Sequence, residues 1–99
     1  RQLRIPVPCT DLTQITQLFA AAITPRTRLI LISHPINLNG QLFPVRDICR
    51  LAHSRGIQVA VDAAQSFALL NYKLADLECD YLGTSLHKWL LAPTGTGFL

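Results

Sequence analysis

The chain has 99 residues, enough for one small domain, and 49% of them are hydrophobic but only 15% charged. An average globular chain is about one-quarter charged, so much of this surface is expected to face partner segments. Nine Lys and Arg against six Asp and Glu leave a net charge of +3, and the basic residues stand singly, which argues against a nucleic-acid-binding cluster.

Cys9, Cys49 and Cys79 are odd in number and lack C-x-x-C spacing. They suggest neither a disulfide framework nor a zinc site, and the expected setting is reducing and cytoplasmic. No apolar run reaches the roughly 18 residues that span a bilayer, so no membrane partner is expected. No signal peptide is visible, with a targeting segment ahead of Arg1 left open. The chain starts at Arg1 without Met and stops in the apolar run Gly97-Phe98-Leu99. It is therefore expected to be a piece of a longer protein, truncated at both ends.

Along the chain, apolar periodicity alternates between strand and helix, the pattern of a parallel α/β sheet. Leu3 to Val7 reads as a short strand. Asp11 is the expected N-cap of a helix, with Gln14 in capping-box position; Leu12, Ile15, Leu18, Phe19 and Ala22 share one face, and the helix should end before Pro25. Leu29 to Ile32 is a continuous apolar run, expected to be a central strand buried on both faces. A loop from Pro35 to Gly40 follows. Pro44 opens the next helix, with Val45, Ile48, Cys49 and Ala52 as its buried stripe and Gly56 as the left-handed residue beyond it. Ile57 to Val61 is the next strand, completing a βαβ unit. Ala63 to Leu70 is expected to form a short helix, Leu74 to Leu77 a turn, Tyr81 to Gly83 a short strand, and Pro93 to Gly97 a loop.

Polar clusters follow three of these strands: His34 to Asn39, Asp62 to Gln65, and Ser85 to Lys88. Ligands in open α/β sheets bind at the carboxyl ends of the strands, so the three are expected to form one site. A strand ending in Asp62 and an S-x-H-K turn ending in Lys88 supply what pyridoxal phosphate needs: a carboxylate for the pyridinium nitrogen and a lysine for the Schiff base. Trp89, Leu90 and Leu91 should desolvate the lysine amine and favour the neutral, nucleophilic form. Ser85 and His87 could address an anion together.

Blander readings stand beside these. Asp62 could simply cap the segment starting at Ala63, or end a Walker B strand, although the chain has no G-x-x-x-x-G-K-[ST] loop to accompany one. A lone lysine is most often a solvated surface residue, and His87 could be a packed structural histidine. His53 reads as a surface residue of its helix. His34, His53 and His87 have no metal-ligand spacing.

Several motifs together carry a resemblance. They are Ser33-His34 with Asn37 and Gly40, Val61-Asp62-Ala63-Ala64-Gln65-Ser66, Asp80-Tyr81, Ser85-Leu86-His87-Lys88-Trp89-Leu90, and Gly95-Thr96-Gly97. From Ile32 to Leu99 the chain resembles the large-domain core of class V aminotransferases, the pyridoxal phosphate enzymes that include cysteine desulfurases and isopenicillin N epimerase. The segment around Gly83 to Pro93 looks closest to the epimerase-like members. Ile23 to Arg28 extends a weaker likeness toward the N-terminus.

The resemblance implies that residues 1–99 are part of the mostly parallel-sheet large domain of an aspartate aminotransferase-like, fold type I enzyme. It makes Lys88 the Schiff-base lysine and Asp62 the partner of the pyridine nitrogen. Gln65 would bond the cofactor's phenolic oxygen, Ser85 and His87 its phosphate, and Asn37 would stand near substrate and ring. Ala63 departs from the Gly that many relatives carry. The implied substrate is an amino acid, and the implied assembly is a homodimer of the full-length protein. The isolated chain, without the ring-stacking segment and small domain, is expected to be inert. A cysteine desulfurase or selenocysteine lyase, and a non-catalytic binding protein retaining the fold, are the alternatives; no cysteine here reads as a mobile sulfur acceptor.

Overall fold

A computed structural model of the protein describes residues 2–6 and 8–99. The first helix, α1 (Leu12–Ala22), starts where Asp11 accepts the Thr13 amide at 2.9 Å, the cap expected of that residue. Gln14 does not complete a capping box; its side-chain oxygen takes a hydrogen bond from the Cys9 thiol instead. The apolar stripe buries Ile15 and Phe19, while Leu12 at the helix entry is exposed.

Four strands make one sheet: β1 (Leu29–Ser33), β2 (Gln58–Asp62), β3 (Tyr81–Ser85) and β4 (Gly97–Phe98). They lie in sequence order. The first three are parallel and β4 returns antiparallel to β3. Helix α2 (Val45–His53) connects β1 to β2 and buries Val45, Ile48, Cys49 and Ala52, the expected stripe. Gly56 follows it with φ +68°, a conformation that costs glycine little. Gly97 is needed for a different reason. A Cβ there would stand 2.5 Å from the Thr84 carbonyl oxygen, so only glycine lets β4 lie against β3.

Strand alternation divides the sheet into two unlike faces. Ile30, Ile32, Val59 and Val61 point into a core shared with Ile15, Phe19, Phe43, Ile48 and Ala52. Leu29 and Leu31 point the other way and are exposed, Leu31 at 72%. The expectation that β1 is buried on both faces is thus corrected: within this chain the helices cover one face only, and β1 is an edge strand.

Three further expectations change. Residues 3–6 form no strand: Pro6 and Pro8 offer no amide hydrogen to a ladder, and Leu3 and Ile5 pack against the core instead. Val7, included in that expected strand, lies outside the described residues. The segment 63–70 is a string of turns rather than a helix, with Ala68 at φ +64°, where a right-handed helix cannot continue. Conversely, Leu74–Leu77 forms a short helix, α3, because the Asp76 carboxylate reaches back to the Lys73 amide at 3.1 Å.

Candidate active site

Parallel pairing brings the carboxyl ends of β1, β2 and β3 to one edge. Ser33 is in register with Asp62, and Asp62 with Gly83, so the polar residues that close the strands become neighbours. The backbone around Asp62 is held from both sides. The His34 amide donates to the Asp62 carbonyl at 2.9 Å, and the Ala63 amide donates to the Gly83 carbonyl at 2.8 Å. Buried Thr84 adds a hydroxyl bond to the Ala63 carbonyl at 3.3 Å.

The Asp62 side chain leaves the strand on the open face of the sheet. One carboxylate oxygen accepts the Ala64 amide at 3.0 Å, so the capping role read from the sequence is realised. The other has no protein donor among the described residues and faces outward. Asp62, Ala64, Gly83 and Ser85 line a shallow groove there, floored by Leu31 and Ala60. The Asp62 carboxylate is exposed within this chain. Strand alternation is the reason, since residues 60 and 62 share the uncovered face.

Beyond β3, the chain from Leu86 to Ala92 is a loop pinned at its base. The Leu86 amide donates to Thr96 at 3.0 Å, and the Ala92 amide to the Leu86 carbonyl at 3.1 Å. Lys88 lies on this loop, three residues past the end of β3, and is half-buried. Trp89, Leu90 and Leu91 are exposed, Leu91 at 86%. Leu91 therefore contributes nothing to the expected apolar shield around the amine within this chain, and Trp89 and Leu90 are only half covered.

His87 stands exposed on the same loop, whereas Ser85 is half-buried at the end of β3 and faces the groove. Asn37 lies at the same sheet edge, in an exposed turn closed by the Gly40 amide bonding the Ile36 carbonyl at 2.9 Å, and it does not line the groove. Gln65 is half-buried. Its side-chain oxygen accepts the Trp89 indole N–H at 3.2 Å, joining the loop that follows β2 to the lysine loop that follows β3. In the sequence Trp89 reads only as an apolar neighbour of Lys88; its donor-only indole is the signal that points to this contact.

His34, next to Asp62 across the strand ends, is buried edge-on against Tyr72 with ring centroids 6.1 Å apart. Its Nδ1 has no hydrogen-bond partner among the described residues, and burial holds the imidazole below its usual pKa. Two of the thiols are shifted upward. Burial first, then the neighbouring Cys79 and the acidic Asp80 and Glu78, push Cys49 up to about 12. Cys79 is also raised, chiefly by burial. At the opposite end of the sheet a second hollow lies between Thr24, Arg28, Arg55 and Ile57, where both guanidinium groups are spent on backbone carbonyls. Among the described residues there is no cluster suited to a metal ion, and no helix is long and apolar enough to cross a membrane.

The Aminotransferase class-V family matches residues 3–99 of the chain. The chain belongs to the class V aminotransferases. Isopenicillin N epimerase of Streptomyces clavuligerus is 42% identical over 99 residues, covering all of this chain and 25% of the epimerase. A probable cysteine desulfurase of Xylella fastidiosa is 40% identical over 76 residues, 77% of this chain and 18% of that protein. The chain thus spans about a quarter of the length of the epimerase it matches.

Among solved structures, the cystine C-S lyase C-DES, complexed with its product cysteine persulfide, superposes with a TM-score of 0.79 at 32% identity. The match covers 84% of this chain and 23% of the lyase. A lysine-to-alanine variant of C-DES carries glycine covalently linked to its PLP cofactor. The family uses pyridoxal phosphate. The expected fold, an α/β fragment with a mainly parallel sheet of the fold type I class, is borne out.

Proposed function

We propose that this chain is the cofactor-anchoring part of the large domain of a pyridoxal phosphate enzyme acting on an amino acid, most similar to the isopenicillin N epimerases. The observation that carries this reading is the Gln65–Trp89 bond, which ties the loop that follows Asp62 at the end of β2 to the loop bearing Lys88. The donor set has the right chemistry for the group. It offers an anion for a ring cation, an amide for a phenolic oxygen, a hydroxyl and an imidazole for a phosphate, and an amine for an aldehyde. Asp62 keeps one carboxylate oxygen free for that purpose.

Pyridoxal phosphate, when bound, supplies an aldehyde that joins amines and a ring that withdraws electrons from the substrate Cα. Asp62 would hold the ring nitrogen in its protonated form. Gln65 would donate an amide hydrogen to the phenolic oxygen. Ser85 and His87 would hold the phosphate, and Asn37 would approach the ring only if its turn closes over the groove. Lys88 would anchor the cofactor and, once displaced by substrate, carry a proton to or from Cα. Inversion at Cα needs that proton removed and returned. The remaining contacts, the small domain and a second copy of the protein would complete the site.

The extent of likeness supports the epimerase reading over desulfuration: it spans the whole chain for the epimerase and 77% of it for the desulfurase. The buried, high-pKa Cys49 and the raised Cys79 are poor sulfur acceptors. Borohydride reduction of the full-length, cofactor-loaded protein followed by peptide mapping tests the assignment. The pyridoxyl label is expected on Lys88. Label on Lys73, or none, would overturn it.

A further inference from the structure

The indole N–H of Trp89 can only donate a hydrogen bond. Its partner at 3.2 Å is therefore necessarily the oxygen of the Gln65 amide, not the nitrogen. That contact removes the ambiguity of an amide side chain, which otherwise flips between two nearly equal orientations. With the oxygen occupied, the NH2 group is directed away from Trp89, and its two hydrogens have no protein acceptor among the described residues. Gln65 stands in the loop after β2, three residues beyond Asp62, and Trp89 immediately follows Lys88.

We propose that Trp89 is a positioning residue: it locks the Gln65 amide so that an N–H, rather than the carbonyl oxygen, is presented to the cofactor's phenolic oxygen. This rests on the cofactor reading above. The same bond sets the spacing of the two loops, because the side chain that orients Gln65 is attached next to the anchoring lysine. A free amide would present its oxygen for part of the time and repel an oxyanion. Trp89 is half exposed and outside the core of this chain, and its hydrogen bond is the role to be tested.

A donor to the phenolic oxygen draws charge from it, so the proton on the neighbouring lysine-linked nitrogen is held less tightly. Trp89→Phe in the full-length protein keeps a ring and removes the donor. It is expected to raise the pH midpoint of the cofactor's visible absorption band by about 0.5–1 unit and weaken pyridoxal phosphate retention about fivefold. In a Gln65→Ala background the same substitution should change neither quantity, since the amide it orients is gone. An unchanged midpoint in Trp89→Phe, or an equal shift in both backgrounds, would overturn the role. A wild-type protein without the visible band would defeat the cofactor reading itself, a result distinguishable from a failure of Trp89 alone.

Discussion

Asp80 binds Val59 twice: its amide donates to the Val59 carbonyl at 3.0 Å, and its carboxylate accepts the Val59 amide at 2.7 Å. The same carboxylate oxygen meets His53 Nε2 at 2.9 Å, so one side chain ties the end of α2 to β2 at the point where β3 begins. The register that puts Asp62 opposite Gly83 starts from this clamp.

Loss of the clamp is expected to loosen the site edge as well as the fold. Asp80→Ala in the full-length protein should lower the melting midpoint by roughly 2–4 °C, and Asp80→Asn by less, because an amide oxygen can still accept from Val59. The His53 hydrogen bond, and then the Val59 amide, hold the Asp80 carboxyl below its ordinary pKa. A lowered folded pKa gives stability that is present above the unfolded value of about 3.9 and is lost as pH falls through the folded one. Melts from pH 6 to pH 2 should show this acid loss in the wild type and a smaller one in Asp80→Asn; equal acid profiles would contradict it.

Asp62→Asn separates cofactor retention from catalysis. The amide keeps an oxygen for the Ala64 amide, so the turn after β2 should survive. It cannot stabilise a protonated ring nitrogen. Turnover of the amino-acid substrate by the full-length protein should fall about 10²-fold or more while some cofactor absorbance is kept. Steady-state kinetics beside a visible spectrum checks both halves, and wild-type turnover in the variant would refute the role of Asp62.

His34 should confer a pH dependence of its own. Burial lowers its pKa, so the unfolded state takes up a proton that the folded state resists. Its contribution is intact above the unfolded value of about 6.5 and declines as pH falls below it. His34→Phe should preserve the edge-on packing with Tyr72, remove the partnerless Nδ1, and change stability at pH 7.5 by no more than about 1 kcal/mol. Denaturant unfolding at pH 7.5 and 5.5 should give a smaller difference in the variant than in the wild type. An identical difference would show that His34 is not the titrating group.

Local chemistry was enough to read much of this protein. The capped helix from Leu12, the stripe of α2 with Gly56 beyond it, and strands ending near Ser33, Asp62 and Gly83 follow from periodicity and capping, which act over a few residues. The motifs around Asp62 and Lys88 were legible for the same reason, and their likeness to class V aminotransferases fixed the family. Tertiary structure decided what depends on residues far apart. Leu29 and Leu31 look as buried as Ile30 and Ile32 in sequence, but helices cover only one face of the sheet, leaving Leu31 exposed and the Asp62 carboxylate in an open groove. The turns of 63–70 and the small helix at Leu74–Leu77 were exchanged because Ala68 adopts a left-handed conformation and Asp76 supplies a local cap. Sequence could name Gln65 and Trp89, but their hydrogen bond spans 24 positions and exists only because β2 and β3 lie side by side.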